Sequence, residues 1–155
     1  MIELTLLFLI KNNQILLAMK RRGFGAGRFN GAGGKVEPDE SIDQALVRET
    51  QEEIGVTPIN FTKMADITFD QQYKGQPSIM HVHVFTSDNW QGTPTESEEM
   101  SPQWFAINDI PYDNMWPDDT FWLSLVISGQ KVSAKFKLDD NDVIVTQDVK
   151  VVDGF

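Results

Sequence analysis

The sequence contains no cysteine, which excludes disulfide bonds and thiolate metal sites. A chain without disulfides is typical of a reducing compartment, and we expect a cytoplasmic protein. Basic residues are also scarce: 13 Lys and Arg against 23 Asp and Glu give a formal net charge of −10. Such an acidic chain is not expected to bind a nucleic acid polymer, because that needs a basic surface. The charge is compatible with a single nucleotide held through a metal ion, because the cation supplies the missing positive charge.

Long apolar runs are absent as well. The apolar start, residues 1–10, is much shorter than the ~20 residues of a membrane span. It has no basic region and no small-residue cleavage site, so it is predicted to be a strand and not a secretion signal. We therefore expect no membrane partner. With 155 residues, 41% of them hydrophobic, the chain can bury a sizeable core. We predict one domain over residues 1–155, and a monomer.

Hydrophobic alternation and turn residues predict an α+β chain. One helix is expected between Ser41 and Gly55, and a second from Pro117 to about Ser128 with Gly129 as its stop. Residues 20–34, 88–101 and 108–116 are predicted to be loops or irregular. Strands are predicted over residues 2–10, 15–19, 62–72, 79–87, 103–107, 132–138 and 143–152.

The first helix has clear start and stop signals. Ser41 and Gln44 form a capping-box pattern, so Ser41 is the predicted N-cap. Gly55 is the predicted left-handed stop. At about 100° per residue, one stripe of this helix contains Ile42, Leu46, Thr50 and Ile54.

Three glutamates, Glu49, Glu52 and Glu53, lie within a narrow arc beside that stripe. Like charges one helical turn apart cost roughly 0.2–0.5 kcal/mol per pair, and a hard divalent cation reverses this cost because it needs several oxygen ligands. A solvated acidic helix face is the more common explanation of such a cluster. The glycine at position 34 and Arg48, which can reach Glu52 one turn on, favour a metal site instead.

These residues resemble a known family. The pattern G-x5-E-x7-R-E-U-x-E-E-x-G-U, where U is a bulky aliphatic residue, is the Nudix box. Thr50 departs from it, because an aliphatic residue is usual there. Its hydroxyl faces the core and needs a backbone acceptor, and we expect this to affect packing and not chemistry. The matching residues are Gly34, Glu40, Arg48, Glu49, Glu52, Glu53, Gly55 and Val56.

Further segments resemble one Nudix subfamily, the MutT-homologue hydrolases that remove oxidised purine nucleoside triphosphates from the nucleotide pool. Residues 19–31, 92–100 and 113–119 carry this resemblance, which spans most of the chain from Thr5 to about Leu123. It implies a Nudix fold, with a mixed β-sheet sandwiched between helices. Two segments depart from the subfamily: Phe29 stands where tryptophan is usual, and residues 71–78 form a longer connection. Both are expected near the rim of the pocket.

The resemblance also implies a metal-dependent reaction, the hydrolysis of a nucleoside triphosphate to the monophosphate and pyrophosphate. Glu53 would be the general base, with Glu52 as the alternative, and Arg48 would hold the carboxylates in position. The implied ligands of Mg²⁺ or Mn²⁺ are Glu49, Glu52, Glu53, the Gly34 carbonyl and Glu99.

The implied substrate site combines polar and apolar groups. Two adjacent aspartates in an apolar pocket resist double ionisation, so one is expected to keep its proton near neutrality and to act as a donor. The residues implied for the purine edge are Asn30, Asp118 and Asp119; Trp116 would stack on its face; Phe24, Phe69, Met80 and Met100 would form apolar walls; Thr5, Lys20 and Gly33 would border the sugar and phosphates.

Two features outside the box are less specific. The loop over residues 20–34 combines glycines with four basic residues, which suits either a phosphate site or a flexible surface loop. His81 and His83 share one face of a predicted strand, and a structural or exposed role is favoured over a catalytic one. Alternative functions are a Nudix hydrolase of other nucleotides, such as nucleotide sugars, dinucleotides or ordinary nucleoside triphosphates, a non-catalytic nucleotide-binding module, and an isomerase on the same fold.

Overall fold

The computed structural model describes all residues from Met1 to Phe155 and contains a mixed β-sheet with one helix packed on each face. The strand order is β10-β9-β5-β6-β1-β2-β3, and β8 pairs with β2. A separate two-stranded sheet joins β4 to β7. The elements are β1 (Ile2–Lys11), β2 (Gln14–Lys20), β3 (Phe29–Asn30), α1 (Ile42–Ile54), β4 (Thr57–Pro58), β5 (Thr62–Tyr73), β6 (Gln76–Ser87), β7 (Trp90–Gln91), β8 (Met100–Ala106), α2 (Asp119–Ile127), β9 (Lys131–Leu138) and β10 (Ile144–Val152).

The β1–β6 and β5–β9 pairs are parallel and the other pairs are antiparallel, so the expected mixed sheet between helices is confirmed. Every predicted strand is present, with ends shifted by a few residues. The sequence missed four short pieces, because each pairs with a segment ten or more residues away. These are β3 in the glycine-rich loop, β4 after the first helix, β7 in the acidic loop, and the start of β8.

The central strand β1 divides the core between the two helices. Leu7 and Leu9 point towards α1, whereas Phe8 points to the opposite face and packs edge-on against Trp122 of α2, with ring centroids 6.2 Å apart. This sorting follows from the period of two along a strand. It leaves the two helices to cover two separate apolar clusters, one on each face of the sheet.

The predicted ends of α1 are confirmed. The Ser41 hydroxyl accepts the Gln44 N–H at 3.1 Å, and the Gln44 side chain accepts the Ser41 N–H at 2.8 Å. Gly55 ends the helix in the left-handed conformation, with φ 71°. Thr50 is fully buried, and its hydroxyl donates to the Leu46 carbonyl at 2.7 Å, as its position required. The unusual residue is therefore satisfied within its own helix.

Helix α2 begins two residues later than expected. Pro117 lies in the turn before the helix, and Asp118 occupies the N-cap position without capping it, because its side chain is turned into the protein. The C-terminal end is as predicted, with Ser128 as C-cap and Gly129 at φ 93°. With 13 and 9 residues, the two helices fall short of the length and apolar character needed to cross a membrane.

Candidate active site

A cavity of about 520 Å³ opens on the α2 side of the sheet, where the glycine-rich loop, the end of α1 and the start of α2 meet. Two groups of acidic residues line it. We call Glu49, Glu53 and Glu99 the glutamate cluster, and Asp118 and Asp119 the aspartate pair. The remaining wall is formed by glycines of the loop and by apolar side chains of the sheet.

Glu53 is the most buried member of the glutamate cluster, with 6% of its surface exposed. Its Oε2 atom accepts a hydrogen bond from the Gly33 N–H at 3.1 Å, which fixes the direction of the carboxylate. Burial raises the pKa of Glu53 to about 7, although the Gly33 N–H and the nearby Lys20 ammonium act in the opposite direction. A carboxyl group with this pKa can exchange a proton close to neutral pH.

Glu49 lies directly over the backbone of Gly34. A Cβ atom added to Gly34 would sit 2.5 Å from the Glu49 Cδ atom, so only glycine leaves room for this carboxylate. Burial raises the pKa of Glu49, while the hydrogen bond from Arg48 opposes the shift. The glycine at the start of the box is therefore required for a steric reason, the close approach of Glu49, which lies 15 residues away in sequence.

Arg48 is the centre of a carboxylate clamp beside the cavity. It donates to Glu49 at 3.0 Å, to Glu52 at 3.2 Å and to both oxygens of Glu40, and these bonds hold the pKa of Glu40 at about 2. A further bond to the Lys35 carbonyl at 3.1 Å ties the clamp to the loop. The Glu52 side chain is 60% exposed and does not line the cavity. The three helix glutamates are thus divided, with Glu49 and Glu53 inside and Glu52 outside.

The carbonyls of Gly33 and Gly34 differ in their bonding. The Gly34 carbonyl accepts the Thr5 N–H at 2.9 Å, and the Thr5 hydroxyl lies 3.5 Å from the same oxygen. The Gly33 carbonyl accepts no hydrogen bond from the protein. Gly33 also passes so close to β1 that an added Cβ atom would overlap the Thr5 carbonyl oxygen, at 1.9 Å. The unengaged carbonyl of Gly33 is therefore better suited to accept a cation than that of Gly34.

The aspartate pair is almost completely buried, with 3% of Asp118 and 2% of Asp119 exposed. Asp118 Oδ2 accepts a hydrogen bond from Trp122 Nε1 at 2.8 Å. Asp119 Oδ2 is buried without any hydrogen-bond partner. Burial raises the pKa of Asp118 to about 6, and burial together with the neighbouring Asp118 raises the pKa of Asp119 well above its ordinary value. The shift favours the protonated form of Asp119, which can donate a hydrogen bond to a ligand.

Trp116 forms the aromatic wall near the aspartate pair. The Arg28 guanidinium stacks 4.1 Å from the centroid of the indole. The guanidinium also donates a hydrogen bond to the Asp142 carboxylate at 3.1 Å. The Phe24 ring lies 5.0 Å from Trp116 at an angle of 32°. Gly25 is in the left-handed conformation and allows the loop to approach the indole, because an added Cβ atom would lie 3.3 Å from it. These contacts fix the orientation of the tryptophan in the cavity.

Comparison with known proteins assigns this chain to a family. The NUDIX domain family matches residues 4–125. The chain belongs to the Nudix family. It is similar to the oxidized purine nucleoside triphosphate hydrolases of Mus musculus, with 44% identity over 97% of this chain and 96% of that protein, and of Danio rerio, with 45% identity over 92% and 90%. Its fold matches that of the MutT protein of Bacillus halodurans, with a TM-score of 0.85 and 21% identity over 97% of this chain and 98% of that one.

Most residues predicted from the Nudix resemblance lie together. The exceptions are Glu52 and Arg48, which stand outside the cavity on the solvent side of α1. Phe29, expected near the rim, does not line the cavity itself, although its neighbours Arg28 and Asn30 do. Its ring packs edge-on against Phe105, with centroids 5.1 Å apart. The predicted residues that do line the cavity are Thr5, Lys20, Phe24, Asn30, Gly33, Gly34, Glu49, Glu53, Phe69, Met80, Glu99, Met100, Trp116, Asp118 and Asp119.

One edge of the Nudix cavity is formed by Gln71, Tyr73 and Lys74 at the β5–β6 turn, where the longer connection over residues 71–78 was expected, although none of the three was predicted as a site residue. Gln71 is buried, with 5% exposure, and the Tyr73 ring contacts Phe24 at 4.9 Å. Strand alternation from Phe69 would have placed Gln71 and Tyr73 on the same face as that predicted wall residue. The longer connection noted in this segment thus borders the cavity.

The raised pKa values predict how the stability of the metal-free protein depends on pH. In the unfolded chain, an aspartate has its ordinary pKa of 3.8. In the native state, the pKa of Asp118 is about 6 and that of Asp119 is also raised, so both keep their protons to a higher pH when the chain is folded. This stabilisation is complete below about pH 4 and is lost as the pH rises through 6 and above, and Glu53 adds to it in the same direction. Urea unfolding in EDTA should give a free energy of unfolding that falls from pH 5 to pH 8. Asp119→Asn should reduce the slope, and a free energy that rises over this range would contradict the assignment.

Proposed function

We propose that this chain is a Mg²⁺-dependent Nudix pyrophosphohydrolase that converts oxidised purine (deoxy)nucleoside triphosphates, such as 8-oxo-dGTP or 2-hydroxy-dATP, to the monophosphate and pyrophosphate. The observation that carries the proposal is the presence of the glutamate cluster and the aspartate pair in one cavity. The names of the relatives in Mus musculus and Danio rerio support this substrate class. The corresponding role is sanitisation of the nucleotide pool, and we propose a cytoplasmic monomer with a single domain.

The donor set of the cavity suits a hard cation. Its oxygen donors are the carboxylates of Glu49, Glu53 and Glu99 and the unengaged carbonyl of Gly33, and no imidazole or thiolate lines the cavity. Mg²⁺ prefers such oxygen ligands, and Mn²⁺ accepts them too. When bound, the ion offsets the charge of the triphosphate and favours deprotonation of a water nucleophile. Glu52 is exposed and does not line the cavity, so we propose a secondary role for it.

Glu53 is the proposed general base. Its carboxylate points into the cavity from a fixed direction, and burial raises its pKa to about 7 in the metal-free protein, which increases its basicity. Lys20, whose Nζ atom lies 4.0 Å from Glu99 Oε2, is placed to bind phosphate oxygens. Arg48 does not touch the cavity, and we propose that it positions Glu49 through its 3.0 Å hydrogen bond.

The aspartate pair and Asn30 are the proposed readers of the purine edge. Protonated Asp119 offers a donor, Asp118 offers an acceptor, and the amide of Asn30 offers both. A base that fits between them can stack on Trp116, an interaction worth about 1–3 kcal/mol in proteins that bind single strands. Because the proton on Asp119 can be kept or lost, the pair can adapt to more than one oxidised base.

A screen with Mg²⁺ that measures release of the nucleoside monophosphate tests the proposed function, because the triphosphates and ADP-ribose all yield one; pyrophosphate is measured in parallel for the triphosphates. The substrates are 8-oxo-dGTP, 2-hydroxy-dATP, dGTP and ADP-ribose, and at least one oxidised triphosphate is expected to show the highest kcat/KM. Equal values for 8-oxo-dGTP and dGTP would rule out the sanitising role and leave an ordinary nucleoside triphosphate hydrolase. Faster turnover of ADP-ribose would indicate a nucleoside diphosphate derivative as substrate. Nucleotide binding without any turnover would indicate a non-catalytic module.

A further inference from the structure

A second group of metal-binding side chains lies outside the cavity. On β6, His81 and His83 point to the sheet face opposite Met80 and Val82, which line the cavity. In the parallel β1–β6 pair, Glu3 is the direct neighbour of His81. Neither the sheet residues of the cavity nor the glutamate cluster contributes to this group, and the proposed hydrolysis does not use it.

The ligand atoms of Glu3, His81 and His83 all lie within 4.8 Å of one another. His81 Nδ1 is 3.0 Å from both Glu3 carboxylate oxygens, and His83 Nε2 is 3.3 Å from Glu3 Oε1. Zinc–nitrogen and zinc–oxygen bonds are about 2.0–2.2 Å long, so ligands that share one ion are separated by roughly 3–4 Å. The Glu3–His81 and Glu3–His83 separations match this spacing, and Glu3 and His81 are partly exposed, which leaves their side chains room to adjust to one ion.

Asp66 provides the second shell that metal-binding histidines need. Its Oδ1 atom is 2.6 Å from His81 Nε2, which is the ring nitrogen on the far side from Glu3. A carboxylate in this place holds the proton on the outer nitrogen and leaves the inner nitrogen free to ligate. The arrangement carboxylate–histidine–ion is the usual one for zinc in proteins.

One neighbour opposes the ion. The Lys63 Nζ atom lies 3.0 Å from His83 Nδ1 and 2.7 Å from Asp66 Oδ2. An ammonium that donates to Nδ1 selects the tautomer with its proton on Nε2, which is the nitrogen facing Glu3. Binding of a cation requires the other tautomer and release of the Lys63–His83 contact, so Lys63 lowers the affinity of the site.

We infer that Glu3, His81 and His83 form an accessory site for a borderline transition metal, zinc above all, on the side of the sheet away from the aspartate pair. Two imidazoles and one carboxylate suit Zn²⁺ and not Mg²⁺, which prefers oxygen alone. The open side towards solvent, where 39% of Glu3 is exposed, leaves room for a water as fourth ligand. Zinc bound here joins Glu3 of β1 to His81 of β6, which lie 78 residues apart in sequence, and stabilises the native sheet.

The inference is tested by titrating zinc into the zinc-free protein. Saturating Mg²⁺ is present throughout to occupy the glutamate cluster. Isothermal calorimetry is expected to show one Zn²⁺ site, and Zn²⁺ should raise the Tm. Asp66→Asn should weaken binding by about 10–100-fold, and His81→Ala and Glu3→Gln by at least as much. Co²⁺ should give a visible absorption band in the wild-type protein that is absent from His81→Ala.

Two matched variants make the test specific. Lys63→Gln removes the opposing ammonium and offers an acceptor to His83 Nδ1, so its affinity for Zn²⁺ should rise. Glu53→Gln changes the glutamate cluster and should leave the Zn²⁺ affinity unchanged. Equal Zn²⁺ binding in the wild-type, His81→Ala and Glu3→Gln proteins would overturn the inference, as would the absence of any binding up to 100-fold excess of Zn²⁺. Far-ultraviolet circular dichroism in Mg²⁺ separates a lost ligand from a lost fold.

Discussion

Glu53→Gln is expected to lower kcat by roughly 10²–10⁴-fold in saturating Mg²⁺, the range by which a positioned general base accelerates a reaction. Glutamine keeps the shape of the side chain and can still accept the Gly33 N–H, so the loop and α1 should retain their contact. It cannot accept a proton from water. Initial rates of pyrophosphate release on the best oxidised substrate measure the effect, with the Mg²⁺ concentration varied to show that saturation is reached.

Two other glutamates provide the comparison. Glu52 lies outside the cavity and should tolerate replacement by glutamine with a much smaller loss than Glu53, through its weakened contact with Arg48. Glu98 is 86% exposed on the acidic loop, and Glu98→Gln should leave kcat unchanged. Near-full activity of Glu53→Gln would show that the base assignment is wrong, and a larger loss in Glu52→Gln would move the role to Glu52.

Asp119→Ala is expected to lower kcat/KM on oxidised purine nucleoside triphosphates by up to about 10²-fold. Asp119 has a buried oxygen with no hydrogen-bond partner in the protein, and a bound base would supply that partner. Without it, polar atoms of the base are buried unpaired, which costs about 1–3 kcal/mol per group. The size of the loss in kcat/KM should differ from one base to another, because the residues that bind the phosphates, which all substrates share, are unchanged.

Asp119→Asn refines this experiment. The amide always offers a donor, whereas the carboxyl group can either donate or accept, so the variant should retain activity towards a base that accepts at this position and lose it towards one that donates. The ratio of kcat/KM for 8-oxo-dGTP and 2-hydroxy-dATP should therefore change. Asp113→Asn, an exposed position just before α2, should change neither value. An unchanged ratio in Asp119→Asn would remove Asp119 from base recognition.

Local patterns in the sequence determined the helix that carries the chemistry. The capping box at Ser41, the stop at Gly55 and the spacing of Glu49 and Glu53 depend on residues a few positions apart, and helical geometry fixes their relation. The same locality explains why each main strand was predicted with nearly correct ends. The acidic composition and the missing cysteines restricted the kind of metal and the kind of partner.

The tertiary structure decided what depends on segments distant in sequence. Glu52 lies outside the cavity beside Arg48, whose guanidinium is also bound by Glu40 and by the Lys35 carbonyl. Which glycine carbonyl stays unengaged depends on the pairing of the loop with Thr5.

The raised pKa of Asp119 and the cluster of Glu3 with two histidines both depend on the three-dimensional arrangement of the chain. Burial and the neighbouring Asp118 raise the pKa of Asp119, and the register of the parallel β1–β6 pair brings Glu3 to His81, 78 residues away in sequence. The sequence by itself thus determined the box helix and predicted a metal-binding role for its glutamates. Which carboxylates enter the cavity, and with which proton, was decided by packing, because desolvation and long-range contacts have no local signal.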